Sequence, residues 1–464
     1  MTIQTAAIST SPDSSHPGSL TKIAIVGRGF TGIMNAIALL KSFERPFHLV
    51  MYDPSPRING GEGVSRAGKT VLNSRVKDLS VDPSDRVDFK TWLQADEAWR
   101  SHQENLEVVD HSFVSREVFS AYVYERFSEA LRARTDVIVQ ICTHAVFAID
   151  RDPNGGLLIT AQDQQKTHFD AVFLATGYGV NGQTDEARAT EPAENVVVIG
   201  GGVHAVDRAL KLLEAGEAAH VTLISSSGFL PQPHTRSAVG SVSSEKPMPR
   251  TLRGAFRFLR EAAETAEREG SGWQGIMNDF RSRAGDLWKG LTTAERRRFK
   301  RHVKPIYDSH RNRLPPAHHR RLQDALAKGA ITVSKGKVDR VAVNGVLLLT
   351  AAGLQVIAAE RTIDCRIRSL DVDTPLFRSL FSSGLVLRDE LELGIFVDRS
   401  GRALAVQEEF GGIFAVGPLG LGSLPDIDLV PEIVLQAYTA SATLQAWLGT
   451  AVTGEGKAAA SGQG

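Results

Sequence analysis

Short runs of apolar, largely β-branched residues recur along the chain, and several lead through a glycine turn into apolar positions repeating every three or four residues. The runs are KIAIVGRGF, HLVMYD, FDAVFLATG, NVVVIGGG, HVTLISS and GIFAVG. A continuous apolar run suits a strand covered on both faces, so this alternation predicts parallel α/β units. From Met248 to Ala327 the pattern changes to charged amphipathic helix, as in FRFLREAAETAERE and TTAERRRFKRHV, and reads as a helical elaboration of the second unit. Beyond it, TVSKGKVDRVAVNGVLLLTAAGLQVIAAERTIDCRI breaks into short β-like pieces at Gly and Asn-Gly turns, and PEIVLQAYTASATLQAWL predicts a last helix. Residues 1–20 and 449–464 are poor in groups that pack and read as disordered tails.

Two of the runs open into glycine fingerprints. Lys22 to Val26 leads into Gly27-Arg28-Gly29-Phe30-Thr31-Gly32 and the helix-like IMNAIALLKSF, which is GxGxxG between strand and helix. In this pattern Gly27 permits the tight turn, Gly29 lets a pyrophosphate approach the backbone, and Gly32 lets helix and strand pack closely, with the helix N-terminus facing the phosphates. Asp53 ends the next strand, where a carboxylate accepts hydrogen bonds from ribose hydroxyls. Asn195 to Ile199 leads likewise into Gly200-Gly201-Gly202-Val203-His204-Ala205, a GxGxxA variant that marks a second dinucleotide unit. The strand after it ends in Ser225-Ser226-Ser227, with no acid for a 2′-hydroxyl and no arginine for a 2′-phosphate; the missing acid favours NADPH and leaves NADH open. Between the units, Ala175-Thr176-Gly177 closes a strand with small residues that let a chain crossing pass near a bound dinucleotide.

Composition narrows the partners. The 464 residues carry 53 Lys+Arg and 53 Asp+Glu, so nothing global draws the protein to nucleic acid or anionic membranes. No run of about 18 apolar residues appears, and no membrane span is expected. The first residues lack the charged start and apolar run of a secretion signal, and the only cysteines, Cys142 and Cys365, read as inert core thiols that fit a reducing cytoplasm. No metal is expected.

With these signals in this order, the chain resembles the two-dinucleotide-binding flavoproteins. The likeness is closest to the bacterial FAD/NAD(P)-binding protein family that lies near the ornithine and lysine N-hydroxylases, among the class B flavin monooxygenases. It runs over most of residues 21–447 and rests also on VLNSRVKDLSVDPSDRVDFKTWL, FVSREVFSAYVYERF, SSGFLPQPH, HRNRLPP, LELGIFVDRSG and IFAVGPLGLG. It implies an α/β fold of two Rossmann-type dinucleotide-binding domains, the second inserted in the first. The FAD-binding domain would span 21–190 and 330–448, and the NAD(P)-binding domain, with its helical insert, 191–329. FAD would lie against Gly27, Gly29, Phe30, Thr31, Gly32, Asp53, Thr176 and Gly177, with the backbone of Val146 near the adenine and Gly417 and Pro418 in a loop closing on the flavin. The nicotinamide dinucleotide would fall to Gly200, Gly202, Ala205, Ser225 and Ser226. The resemblance puts Asn73, Lys77 and Asp78 on the substrate side and Arg116 near the core of the first domain, where a structural ion pair is an equal reading. His310, Arg311 and Arg313 read as a basic helix end facing solvent. Two departures stand out: the family's basic residues after the second Rossmann strand are serines here, and its Asn-Cys-Thr-Gly run is Asp364-Cys365-Arg366-Ile367.

The activity implied is that of an FAD-dependent, NAD(P)H-driven oxidoreductase: a monooxygenase passing one oxygen from a flavin hydroperoxide to a small-molecule nucleophile, with N-hydroxylation favoured. Molecular oxygen and a small molecule are then the partners. Because the flavin carries the difficult chemistry, no catalytic side chain is singled out. Two alternatives stay open, an FAD-dependent NAD(P)H reductase or dehydrogenase without oxygen insertion, and a non-catalytic dinucleotide-binding protein.

Overall fold

The computed structural model describes residues 20–55, 71–95, 109–178, 192–235, 240–244, 246–366, 374–406 and 412–460. The chain opens with β1 (Thr21–Val26), α1 (Phe30–Ser42), β2 (Phe47–Tyr52), α2 (Asp88–Ala95), α3 (Arg116–Arg132), β3 (Ile138–Cys142), β4 (Val146–Arg151), β5 (Leu157–Ala161), β6 (Lys166–Phe169) and β7 (Ala171–Leu174). Its middle part starts with β8 (Ala193–Ile199), α4 (Val203–Glu214) and β9 (Ala218–Ser225), followed by α5 (Leu252–Arg268), α6 (Trp273–Gly290), α7 (Thr293–Arg298), α8 (Lys304–Arg311) and α9 (Pro316–Ala327). There follow β10 (Ile331–Lys335), β11 (Lys337–Ala342), β12 (Gly345–Thr350), β13 (Gly353–Ala358) and β14 (Arg361–Asp364). The last part adds α10 (Pro375–Ser382), β15 (Ile413–Ala415) and α11 (Val430–Ala460). Contacts divide the chain into two units, one made of its first and last parts and the other of residues 182–367.

The first unit is built on a parallel sheet in the order β15-β7-β1-β2-β3. Helix α1 is buried from Thr31 to Leu40 because the sheet, α3 and α11 surround it, which is why most of its sequence is apolar. The opposite sheet face is covered by antiparallel β4-β5-β6 and by α10. Helix α11 continues to Ala460, so residues 449–460, expected as a loose tail, are helical instead. The other expected tail, apart from Leu20, lies outside the described residues.

The second unit carries a parallel sheet in the order β10-β9-β8-β14. Helices α4 and α9 pack on one face, and antiparallel β11-β12-β13 cover the other. The expected boundary after residue 329 is therefore displaced: β10 and β14 are hydrogen-bonded into this sheet, and residues 330–367 belong with the second unit. The helical elaboration gathers Phe256, Phe280, Phe299 and Tyr307 into one aromatic cluster. The basic run after it does not face solvent as expected. Arg311 and Arg313 are 8% and 4% exposed, their guanidinium groups lying 5.9 Å from the Tyr307 and 5.1 Å from the Trp273 ring centres. Among the described residues no helix is long and apolar enough to cross a membrane.

One ion cluster makes the first unit pH-sensitive. His168 on β6 has Nδ1 2.8 Å from Asp152 Oδ2 and Nε2 3.8 Å from Asp170 Oδ1, while Asp170 Oδ2 accepts a hydrogen bond from the Lys22 backbone at 2.7 Å. Asp170 and then Asp152 hold the imidazolium above the usual histidine pKa, against the opposing effect of burial. A raised folded-state pKa stabilises the fold below the unfolded value, and that contribution is lost as pH rises through the folded pKa. His168's own contribution is therefore expected to be lost between about pH 6 and about pH 9, so that over this range the melting temperature of the parent declines relative to that of His168→Gln. The cluster is partly solvated, so the difference is below about 1 kcal/mol. An unchanged pH slope in the variant would remove His168 as its source.

Candidate dinucleotide sites

The first fingerprint forms the turn between β1 and α1. Gly27 has φ +102°, and a Cβ there would lie 2.5 Å from the Ala175 carbonyl oxygen at the end of β7. A Cβ on Gly32 would lie 2.0 Å from the Gly27 carbonyl oxygen. The protein's own backbone thus requires both glycines. Gly29 is different: it caps α1 in extended conformation, φ −73° and ψ −169°, and a Cβ there would meet nothing within 4 Å. Neither conformation nor packing asks for glycine at this position, whereas a group approaching the backbone does. The first turn of α1 carries no acidic residue and Gly29 supplies no side-chain cap, which leaves its amide N–H groups for an anion. A dinucleotide diphosphate fits this cradle.

The acid expected after β2 is joined to the turn. Asp53 Oδ2 accepts the backbone N–H of Arg28 at 2.8 Å and Oδ1 that of Ser55 at 2.9 Å. Arg28, only 1% exposed, also donates from Nη2 to the Ser55 carbonyl at 2.8 Å. Sequence reasoning missed this clamp because Arg28 occupies a variable position of the pattern. Each Asp53 oxygen keeps a lone pair beyond these bonds for a ribose hydroxyl. Tyr124 of α3 feels the charges of Arg28 and Asp53, and burial above all pushes its phenol up to about 12. Its hydroxyl and that of Thr176 are buried and find no hydrogen-bond partner among the described residues. Such orphans are costly unless a bound polar group completes them.

The structure brings some of the other expected residues to this turn and not others. Thr31 and Gly417 meet, since a Cβ on Gly417 would lie 3.0 Å from Thr31 Oγ1, and the Gly417 N–H donates to Gln436 Oε1 at 2.7 Å. Pro418 is buried in the 3-10 turn that Gly417 begins. Phe30 turns its ring onto Phe119 of α3, 5.5 Å between centroids, leaving its backbone rather than its side chain to the turn. Gly177 continues the strand end whose Ala175 abuts Gly27. Val146 is a buried residue of β4, packed with Cys142 and Tyr52 in the core under the sheet. Asn73 lies half-buried on a segment that pairs with residues 112–115, the lead into α3, while Lys77 and Asp78 project exposed from its 3-10 turn. Arg116 opens α3 behind its Ser115 cap.

The second fingerprint repeats the arrangement in its own unit. A Cβ on Gly200 would lie 3.0 Å from the Ala205 Cβ and 3.3 Å from the Cys365 carbonyl oxygen, whereas one on Gly202, the cap of α4, would meet nothing within 4 Å. His204 is exposed on the first turn of α4. The serines after β9 depart from expectation. Ser225 is 3% exposed and its hydroxyl serves its own loop, donating to the Phe229 carbonyl at 3.2 Å and accepting the Gly228 N–H at 3.1 Å. Only Ser226 of the expected pair is exposed to a ligand.

Comparison with known proteins agrees with this geometry. Residues 24–179 match the FAD-NAD(P)-binding family model, and residues 192–265 a family model for NAD(P)-binding domains. No curated protein matches by sequence. Among solved structures, the reduced ornithine hydroxylase PvdA of Pseudomonas aeruginosa superposes with a TM-score of 0.61 at 15% identity, covering 93% of this chain and 100% of its own. The ornithine N-hydroxylase KtzI of Kutzneria sp. 744, with reduced FAD, NADP+ and L-ornithine, gives 0.60 at 16%, covering 92% and 99%. The bacillithiol disulfide reductase Bdr (YpdA) of Staphylococcus aureus gives 0.51 at 13%, again covering 92% and 99%. The chain therefore has the two-Rossmann-unit fold of these flavoproteins, and its residues 24–179 carry the domain of the FAD-NAD(P)-binding family.

Proposed function

We propose that this chain is an FAD-dependent, NAD(P)H-driven monooxygenase that adds one oxygen atom to a nucleophilic nitrogen of a small molecule. The observation that carries the reading is the open fingerprint position found in each unit, Gly29 and Gly202, where neither backbone conformation nor packing requires glycine. It stands within a fold shared with PvdA over 93% of the chain. When bound, FAD and the nicotinamide supply hydride transfer and oxygen activation.

The chain's own part is binding, orientation and exclusion of water. The turn from Gly27 to Gly32 and the first amides of α1 neutralise the FAD diphosphate, Asp53 takes ribose hydroxyls, and Thr176 and Tyr124 offer buried hydroxyls to polar atoms of the cofactor. The Gly417–Pro418 turn, seated on Thr31, closes this pocket from the far end of the chain. The turn from Gly200 to Ala205 holds the nicotinamide dinucleotide. Asn73, Lys77 and Asp78 take the substrate side, where adjacent opposite charges suit an amine that also carries a carboxylate.

A disulfide reductase such as Bdr is the competing reading, and the cysteines argue against a dithiol version of it. Cys142 is buried at the end of β3, where burial pushes its thiol pKa up and disfavours the reactive thiolate. The test is anaerobic reduction of the FAD-loaded protein by NADPH and by NADH, followed by oxygen with L-ornithine, L-lysine or simpler primary amines. A product heavier by one oxygen atom supports the proposal. Flavin reduction followed by turnover of quinones or disulfides, with no oxygenated amine, would make the chain a reductase; a protein that takes up no FAD would leave only the fold.

A further inference from the structure

We infer that Lys335, on the strand beside β9, supplies the cation for the 2′-phosphate of NADP(H) that the end of β9 itself lacks. The inference rests on reading the second unit as the nicotinamide dinucleotide domain. In such a unit the adenosine ribose lies beyond the second strand, where an acid selects a 2′-hydroxyl and a basic side chain accommodates a 2′-phosphate. Here that strand ends in three serines, and the first of them is buried with its hydroxyl engaged by its own loop.

The neighbouring strand supplies what is missing. β10 runs parallel to β9 with Lys335 opposite Ser225, and the next residue, Gly336, donates its N–H to the Ser225 carbonyl at 3.2 Å. The lysine is thereby held beside the end of β9. Its stem crosses the loop that follows: a Cβ on Gly228 would lie 3.1, 3.5 and 3.6 Å from Lys335 Cδ, Cγ and Cβ. Gly228 has φ +79°, so the loop is shaped and left bare along the whole length of that stem. The same loop abuts the fingerprint, for a Cβ on Gly201 would lie 2.5 Å from Ser225 Oγ and 2.9 Å from the Phe229 carbonyl oxygen. Fingerprint turn, serine loop and Lys335 therefore form one continuous surface at the carboxyl ends of β8, β9 and β10, where open parallel sheets bind their ligands.

The charge at Lys335 is available. The residue is exposed, and among the described residues no carboxylate forms an ion pair with it. Arg366, at the end of β14 on the other side of β8, is by contrast held by Asp364 through two hydrogen bonds of 2.9 and 2.7 Å. A lysine is a flexible point charge, suited to a phosphate reached across a loop. Sequence alone hides this assignment because about 110 residues separate Lys335 from Ser225 and only the strand pairing joins them.

The test is calorimetric titration of the full-length protein with NADP+ and NAD+, and with adenosine 2′,5′-bisphosphate and 5′-AMP, which isolate the 2′-phosphate without flavin turnover. The parent is expected to prefer NADP+, and Lys335→Ala to weaken NADP+ and the bisphosphate about 10- to 100-fold, the size of a hydrogen bond to a charged group. NAD+ and 5′-AMP should change less than about twofold, and Lys335→Arg should keep the preference. Lys337→Ala, two residues on and also exposed, serves as the charge-matched control. Equal weakening of both nucleotides by Lys335→Ala, no weakening of either, or the same loss in Lys337→Ala would overturn the inference and leave the nicotinamide domain standing. A folded parent that binds neither nucleotide would overturn the reading of the second unit and the inference with it.

Discussion

Gly29→Val is expected to give a chain that folds like the parent and no longer retains FAD. Valine meets no protein atom at its Cβ, and the φ and ψ of Gly29 are open to any residue. Its cost to the free protein is that of a poorer helix cap, up to about 1 kcal/mol. The two methyl groups instead enter the space beside the backbone where the fingerprint requires a pyrophosphate to approach. Overpacking of about 1–3 kcal/mol, concentrated on the bound state, lowers affinity roughly 10- to 100-fold, and Gly29→Ala should fall between valine and parent. FAD titration of the flavin-free proteins, with thermal unfolding as the control for folding, separates the two effects. FAD affinity within about threefold of the parent would mean that the diphosphate does not pass this glycine.

What was legible in the sequence was what local sterics dictate. The strand, turn and helix around Gly27 and Gly32 could be read from residue types because both glycines answer to backbone atoms within the same βα unit or at the strand beside it. The contact of Thr31 with Gly417 was not legible, since the resemblance put each of them only at the cofactor and nothing local links residues so far apart. The placement of β10 and β14 was not legible, because each is a short segment of mixed polarity whose partner, β9 or β8, lies beyond the whole helical elaboration. Nor was the inward turn of Ser225. A serine at a strand end reads as a ligand contact or a loop contact alike, and the Gly228 N–H and Phe229 carbonyl decide between them. Arg311 and Arg313 were misread for a related reason: charge predicts exposure until the aromatic faces of Tyr307 and Trp273 and the amide acceptor of Asn278 are known to be nearby.

Gly32→Ala, by contrast with Gly29→Val, is expected to damage the fold before any ligand is added. Its Cβ would lie 2.0 Å from the carbonyl oxygen and 2.9 Å from the carbonyl carbon of Gly27, both of them backbone atoms. The turn has little room to yield, because the Gly27 N–H is bonded to the Tyr52 carbonyl at 2.8 Å and the Ala175 N–H to the Val26 carbonyl at 2.8 Å. Helix α1 cannot lift away either, being buried along its length between the sheet and two helices. The strain belongs at the upper end of the 1–3 kcal/mol range for overpacking, which lowers the melting temperature of the first unit by roughly 5–10 °C. The second fingerprint supplies the internal comparison. There the matching position is already Ala205, whose Cβ is 3.0 Å from where a Gly200 Cβ would stand, so that turn is wide enough for the methyl group. Ala205→Gly should then cost about 1 kcal/mol through helix propensity, with the methyl's lost packing as a further part. Calorimetric unfolding of the two variants reads both costs, and a Gly32→Ala protein that melts within about 1 °C of the parent would show that the first turn has the same slack as the second.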